Sequence, residues 1–178
     1  MMRRTVISFY QMLVCVIFLF SASGAAQAAS LPVQGPLFLP DLTLADLAGH
    51  AVRLKDLQGR LLVVNLFANW CPACHREAPG FVRIHRRIGS AVRFVGIAID
   101  DRESAGDFIS RAHINYAVLL AGRHPGKVLA ALGDKGGMLP YTVIVAPNGR
   151  IVGRHLGYYP AKELLRDIRK ILSDKSLQ

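Results

Sequence analysis

Leu61-Leu62-Val63-Val64-Asn65-Leu66-Phe67, followed closely by Trp70-Cys71-Pro72-Ala73-Cys74, is the stretch that decides the fold. The first part reads as a buried strand. The second opens a helix-like pattern, with Pro72 in the first turn, where its missing N–H would have no partner. A thiol pair is thus delivered to a helix N-terminus. There the positive end of the helix dipole and the unpaired N–H groups favour the thiolate, the nucleophile of disulfide exchange. Helical spacing puts the two Cα atoms roughly 5–6 Å apart, within disulfide range. The pair reads as a redox centre.

The N-terminus reads as an export signal. Arg3 and Arg4 form a positive start, Met12 to Phe20 is uninterruptedly apolar, and Ala26-Gln27-Ala28 offers small residues to a signal peptidase. A cut after Ala28 leaves residues 29–178 as a single domain of about 150 residues, large enough for a core without staples. The apolar run is short for a membrane span, but extended before Phe9 it would serve as an uncleaved anchor. Cys15 falls inside the run as an apolar filler. The other two of the three cysteines are both in the motif. An exported chain with a lone C-x-x-C is no disulfide scaffold, so the pair serves redox chemistry or a metal. Zinc usually takes four ligands, and no second C-x-x-C exists. The 22 Lys and Arg outnumber the 12 Asp and Glu. Export makes nucleic acid an improbable partner. The excess reads as a solvated basic surface, or one that docks acidic loops or an anionic membrane face. Arg83, Arg86 and Arg87 share one helical face.

Outward from the motif, Phe38–Leu42 and Ala51–Leu57 suggest short strands about a turn at Gly49-His50. A helix is expected from Pro72 to Ile88, closed by Gly89 and kinked where Pro79 removes the bond to His75. Val92–Ile99 reads as a strand, and 101–112 as a helix capped by Asp100 or Asp101. Ala117–Leu120 is extended, Lys127–Leu132 is a short helix, and Gly133–Gly137 is a loop. Thr142–Ala146 and Ile151–Leu156 form a hairpin, whose Asn148-Gly149 suits a type I′ turn. A final helix, Pro160–Leu172, carries Leu164, Leu165, Ile168, Ile171 and Leu172 on one stripe. Strand–helix–strand crossings imply parallel pairing and the last hairpin antiparallel pairing: a mixed sheet with helices on both faces.

The strand Val63–Phe67, the Trp70–Cys74 motif, Glu77, Pro79, Leu139-Pro140-Tyr141-Thr142 and the hairpin at Asn148-Gly149 together resemble the TlpA/ResA-like family of thioredoxin-fold thiol–disulfide oxidoreductases. The resemblance spans roughly residues 36–173. It implies a three-layer α/β/α fold with a mixed central sheet, an N-terminal extension and a short αβ insertion before a cis-proline. It also implies a periplasmic location.

Cys71, the more exposed thiol, is expected to attack a partner disulfide, and Cys74, one turn deeper, to resolve the mixed disulfide. The resemblance implies that Glu77 moves protons to or from Cys74 from a partly buried position, with a raised pKa. A solvent-facing glutamate paired with a basic neighbour is the competing reading. Asn65 stands where ordinary thioredoxins carry a buried aspartate. It cannot titrate, which shifts the acid–base task to Glu77. By resemblance, Pro140 follows a cis peptide bond, and the backbone of Leu139 pairs with an extended partner by strand addition. Leu139 and Tyr141 are expected to shape selectivity. Trp70 is expected to shield the thiols or to act as an apolar anchor. His75 is expected to face solvent, with tuning of the potential or copper binding as its other readings.

The expected activity is reduction of protein disulfides, apocytochrome c being the first substrate class, with recharging by a membrane thiol relay and no organic cofactor. A net oxidase or isomerase is the alternative, although the chain between Cys74 and Pro140 lacks the large helical insert of DsbA-type oxidases. A copper chaperone needs a further ligand that the histidine spacing does not supply. A peroxidase lacks the Thr-x-x-Cys pattern.

Overall fold

Every side chain from Leu61 to Phe67 is buried, without the alternation of a one-sided strand. Both faces of this strand are therefore covered, the signature of a central position in a sheet flanked by helices. The computed structural model of the chain describes residues 38–177. The expected export signal, with Cys15, lies outside the described residues. Among the described residues no helix is long and apolar enough to cross a membrane.

The elements are β1 (Thr43–Asp46), β2 (Ala51–Arg53), β3 (Leu61–Phe67), α1 (Pro72–Ile88), β4 (Val92–Ala98), α2 (Arg102–Ala112), β5 (Ala117–Leu120), α3 (Pro125–Leu132), β6 (Tyr141–Val145), β7 (Ile151–Leu156) and α4 (Ala161–Ser173). One seven-stranded sheet runs in the order β2-β1-β5-β4-β3-β6-β7. β3 pairs in parallel with β4, as β4 does with β5, while β6 and β7 add antiparallel on one side and β1 and β2 on the other. This is the mixed α/β sheet that the residue pattern predicts, in the thioredoxin-like form that the resemblance implies.

Residue parity along β3 assigns the layers. Leu61 and Val63 pack with Phe81 and Ile84 of α1 and Leu164 and Ile168 of α4. Phe67 stacks on Phe108 of α2 with ring centroids 4.4 Å apart. The even residues Leu62, Val64 and Leu66 pack with Val128, Leu129 and Leu132 of α3 and with Leu39, Leu44 and Leu54 of the N-terminal extension. By the same parity Asn65 faces α1. Its register partner on β4 is Gly96. A Cβ there would stand 2.7 Å from the Phe67 ring, so only glycine admits that ring. Gly80 plays the same part between helices: a Cβ would meet the Ala161 Cβ at 2.9 Å.

Three expectations shift. The first strand begins at Thr43 rather than Phe38, because Pro40 interrupts the ladder and leaves Phe38 only an isolated bridge to Arg150. Leu54–Leu57 winds into a 3₁₀ turn after β2 instead of extending it. The β6–β7 turn is not type I′: Gly149 takes φ +85° but Asn148 does not take a positive φ. The Gly149 N–H donates to the Ala146 carbonyl (2.9 Å), which puts Pro147 and Asn148 at the corner. The proline ring forbids the positive φ a primed turn requires. A register shift between Ile144 and Val145 accompanies the longer loop.

Gly96→Ala is expected to destabilise the fold by about 1–3 kcal/mol, the usual cost of an overpacked core. A lower urea midpoint at unchanged denaturant slope is the readout.

Candidate active site

Cys71 is the N-cap of α1, in extended conformation (φ −94°, ψ 105°), and its Sγ accepts the Cys74 N–H at 3.2 Å. The two cysteines form a disulfide, with Cα atoms 5.3 Å apart. Cys71 is 4% exposed and Cys74 0%, so the expected order holds while both sulfurs sit in the packing of Phe67, Ala98 and Phe108. The loop that delivers them is tied down. The Asn69 N–H donates to Asp100 Oδ2, at the end of β4. The neighbouring Asp101 caps α2 by accepting the Ser104 N–H at 2.9 Å. His75 does not simply face solvent. It is half-buried, its Nε2–H donates to the Asn69 carbonyl (2.7 Å), and its ring lies 4.7 Å from that of Phe108. Trp70 is 68% exposed, so it anchors nothing in the core.

Glu77 lies one turn beyond Cys74 and is 2% exposed, which removes the solvent-facing reading. Each carboxylate oxygen has one donor. Asn65 Nδ2–H reaches Oε1 at 2.8 Å, and the Tyr159 backbone N–H reaches Oε2 at 3.0 Å. The second Asn65 Nδ2–H goes to Thr142 Oγ1 at 3.1 Å. Strand register explains the set: Gly96, Asn65, Thr142 and His155 form one row across β4, β3, β6 and β7. Burial pushes the Glu77 carboxyl from its ordinary 4.5 up to about 7, against the opposing pull of the two hydrogen bonds. Burial, reinforced by the Glu77 charge, also raises the pKa of the Tyr116 phenol.

The Leu139–Pro140 bond is cis. Pro140 is buried, and its carbonyl accepts the Gly157 N–H at 2.8 Å. Leu139 is half-buried, and Met138 before it is exposed. Tyr141 departs from its expected place beside a partner. It lies on the α3 face of the sheet, 1% exposed, and its hydroxyl donates to the Leu132 carbonyl at 3.2 Å. It anchors the insertion rather than the rim. Tyr158, which sequence reading passed over, is exposed, with the Arg76 guanidinium 5.7 Å from its ring centroid. Trp70, Met138 and Tyr158 thus leave an apolar margin on segments that adjoin the disulfide and the cis-proline. Among the described residues no three His, Cys, Asp or Glu side chains converge as metal ligands, so a copper site on the cysteine pair would find no third ligand of these types there.

The family model described as AhpC/TSA family matches residues 38–154, which include the thiol pair, Glu77 and the cis-proline. The chain belongs to the AhpC/TSA family. Curated relatives are called thiol-disulfide oxidoreductase ResA. That of Geobacillus kaustophilus is 27% identical over 135 residues, 74% of this chain and 75% of that protein. That of Bacillus anthracis is 24% identical over the same shares. The solved structure of MTB DsbF, in mixed oxidized and reduced forms, superposes with a TM-score of 0.67 at 26% identity, over 77% of this chain and 98% of that one. A secreted Mycobacterium tuberculosis disulfide oxidoreductase homologous to E. coli DsbE gives 0.62 at 25%, over 73% and 96%. The resemblance to the ResA-like group rests on these likenesses as well as on the motifs.

Within this AhpC/TSA-family site, sequence reading located the disulfide pair, Glu77, Asn65 and the cis-proline. It missed the Tyr159 donor, because a backbone N–H leaves no mark in the residue type.

Glu77 sets a pH dependence of stability. Below about pH 4.5 it is protonated folded and unfolded. Between there and about pH 7 the unfolded chain releases the proton that the folded chain keeps. Stability due to this group therefore falls as pH rises through that window, by up to about 3 kcal/mol, and is level above it. Urea unfolding of the oxidised protein from pH 4 to 8 should show the fall, and Glu77→Gln should lack it.

Proposed function

We propose that this protein is a thiol–disulfide oxidoreductase that reduces disulfides of partner proteins outside the cytoplasm. The observation that carries the reading is a C-x-x-C disulfide capping a helix, with a buried carboxyl one turn further on and a cis-proline in the same site. The reduced Cys71 thiolate attacks one sulfur of the partner disulfide. An S–S bond to the partner forms, and the partner's other sulfur leaves as a thiolate. Cys74 then gives its proton to Glu77, and its sulfur attacks that of Cys71. The bond from Cys71 to the partner breaks, the partner's second sulfur leaves as a thiolate that takes its proton from Glu77 or water, and the Cys71–Cys74 bond is restored. Two electrons pass to the partner. A carboxyl poised near neutral pH suits this transfer better than an ordinary one.

The exposed Trp70, Met138 and Tyr158 suit docking of a protein rather than a small thiol. The backbone at Leu139, just before the cis bond, suits strand addition by the partner. Apocytochrome c is the substrate class to test first. An oxidising compartment requires recharging, for which a membrane thiol relay is the fitting donor. The apolar N-terminal run supports export, with or without retention as an anchor.

Direction is decided by the equilibrium with glutathione. A potential close to the roughly −270 mV of thioredoxin supports a reductase, whereas one near −120 mV makes the protein an oxidant. In the reduced protein at neutral pH, iodoacetamide is expected to label Cys71 before Cys74 and faster than a free cysteine peptide. Labelling of Cys74 first would reverse the assigned roles. Cys71→Ser should abolish exchange. Glu77→Gln should slow it about 10²–10⁴-fold at its optimum, the range of general acid–base catalysis, and remove the inflection near pH 7.

A further inference from the structure

The segment Gly157–Pro160, between β7 and α4, touches both halves of the site. The Gly157 N–H holds the Pro140 carbonyl, and two residues on the Tyr159 N–H holds Glu77 Oε2. A short connection has no ladder to keep such a donor still. Here the side chain of Tyr159 does so. Its hydroxyl donates to Asp167 Oδ2 on α4 at 2.6 Å. One ring face stacks on His155 of β7, with centroids 3.9 Å apart and planes 10° apart. His155 Nε2–H donates in turn to the Tyr158 carbonyl at 3.1 Å. Arg166 Nε–H donates to the other Asp167 oxygen at 3.0 Å. The connection is thus clamped from a strand on one side and a helix on the other.

We propose that Tyr159 is a positioning residue for thiol–disulfide exchange: held between Asp167 and His155, it fixes the backbone N–H that grips Glu77 and so sets the pH at which Glu77 exchanges its proton. The inference rests on the reading of Glu77 as the proton carrier. An N–H at 3.0 Å stabilises the carboxylate and not the neutral acid. Loosening the clamp therefore raises the proton affinity of Glu77. Asn65 and Thr142, which share its network, do not titrate. The Tyr116 phenol faces it from the segment before β5 and stays protonated there. The thiols of α1 are tied in the disulfide in the oxidised protein. Near Tyr159, α4 contributes Glu163 and Arg166 besides Asp167. Against the upward pull of partial burial, hydrogen bonds from Arg166 and Tyr159 hold Asp167 below the usual carboxylate range, so it stays an acceptor while Glu77 titrates. His155 is the other ionisable neighbour in the row, so the titration must follow the signal of Glu77 itself.

The test is a pH titration of the Glu77 side-chain carboxyl by ¹³C NMR in the oxidised full-length protein, beside the pH profile of exchange. Tyr159→Phe and Asp167→Ala should each raise the Glu77 midpoint by about 0.5–1 pH unit, a fraction of what one hydrogen bond to a charged group supplies. The exchange profile should move with it. Asp167→Asn, which keeps an acceptor oxygen for the Tyr159 hydroxyl, should return the midpoint to the parent value. Midpoints within about 0.2 unit of the parent in both Tyr159→Phe and Asp167→Ala would overturn the proposal. Should Tyr159→Phe not fold, the two Asp167 variants make the same comparison. An unchanged exchange profile in Glu77→Gln would instead remove Glu77 from the mechanism, while the NMR midpoint still reports whether Tyr159 governs its ionisation.

Discussion

A carboxyl group shut away from water must find hydrogen-bond donors, keep its proton, or both. Glu77 does both, and much of the site follows from that constraint. Its two donors come from two different elements: the side chain of Asn65 in the central strand, and the backbone of the connection into α4. Neither donor carries a charge. The hydrogen bonds therefore offset only part of the burial, and the group stays poised near neutral pH instead of fully ionised. An arginine or lysine in place of Asn65 would satisfy the oxygens more completely and leave no proton to move.

The same economy governs the thiols. The helix N-terminus gives the Cys71 sulfur the backbone N–H of Cys74. The loop before it is held by Asp100 and His75, both through backbone atoms of Asn69. Side chains around the motif thus bind backbone, and backbone presents the chemistry. Rigidity of geometry then depends on the side chains that hold each mainchain group, as Asp100 and His75 hold Asn69.

The partition of surface and core bears on which partners fit. Trp70, Met138 and Tyr158 are large apolar side chains left in water on segments that adjoin the disulfide and the cis-proline. Folding alone gives no reason to leave them there, whereas covering by another protein does. Tyr141 has the opposite fate. Its ring closes the α3 face, and its hydroxyl ties the strand after the cis-proline to the end of α3. Trp70, just before the thiol pair, and Tyr141, just after the cis-proline, therefore do unlike work, one at the margin and one in the frame.

Strand β3, helix α1 with its proline at the start and glycine at the end, the Asp101 cap and the apolar stripe of α4 were legible from residue order alone. Each depends on contacts or conformational preferences within a few residues. The placement of two thiols at a helix start is local in the same sense. At the β6–β7 corner Pro147 overrides the local preference of Asn148-Gly149, and Pro40 displaces the start of the first strand. What surrounds Glu77 was beyond local reading. The Tyr159 N–H stands 82 positions away and the Thr142 hydroxyl meets Asn65 across 77. Such partners are chosen by strand register and by how α4 packs on α1, and those are properties of the assembled core. The sequence by itself determined where the reactive sulfurs sit; only the tertiary structure decided which groups grip the buried carboxyl, because distance along a chain carries no information about distance across a sheet.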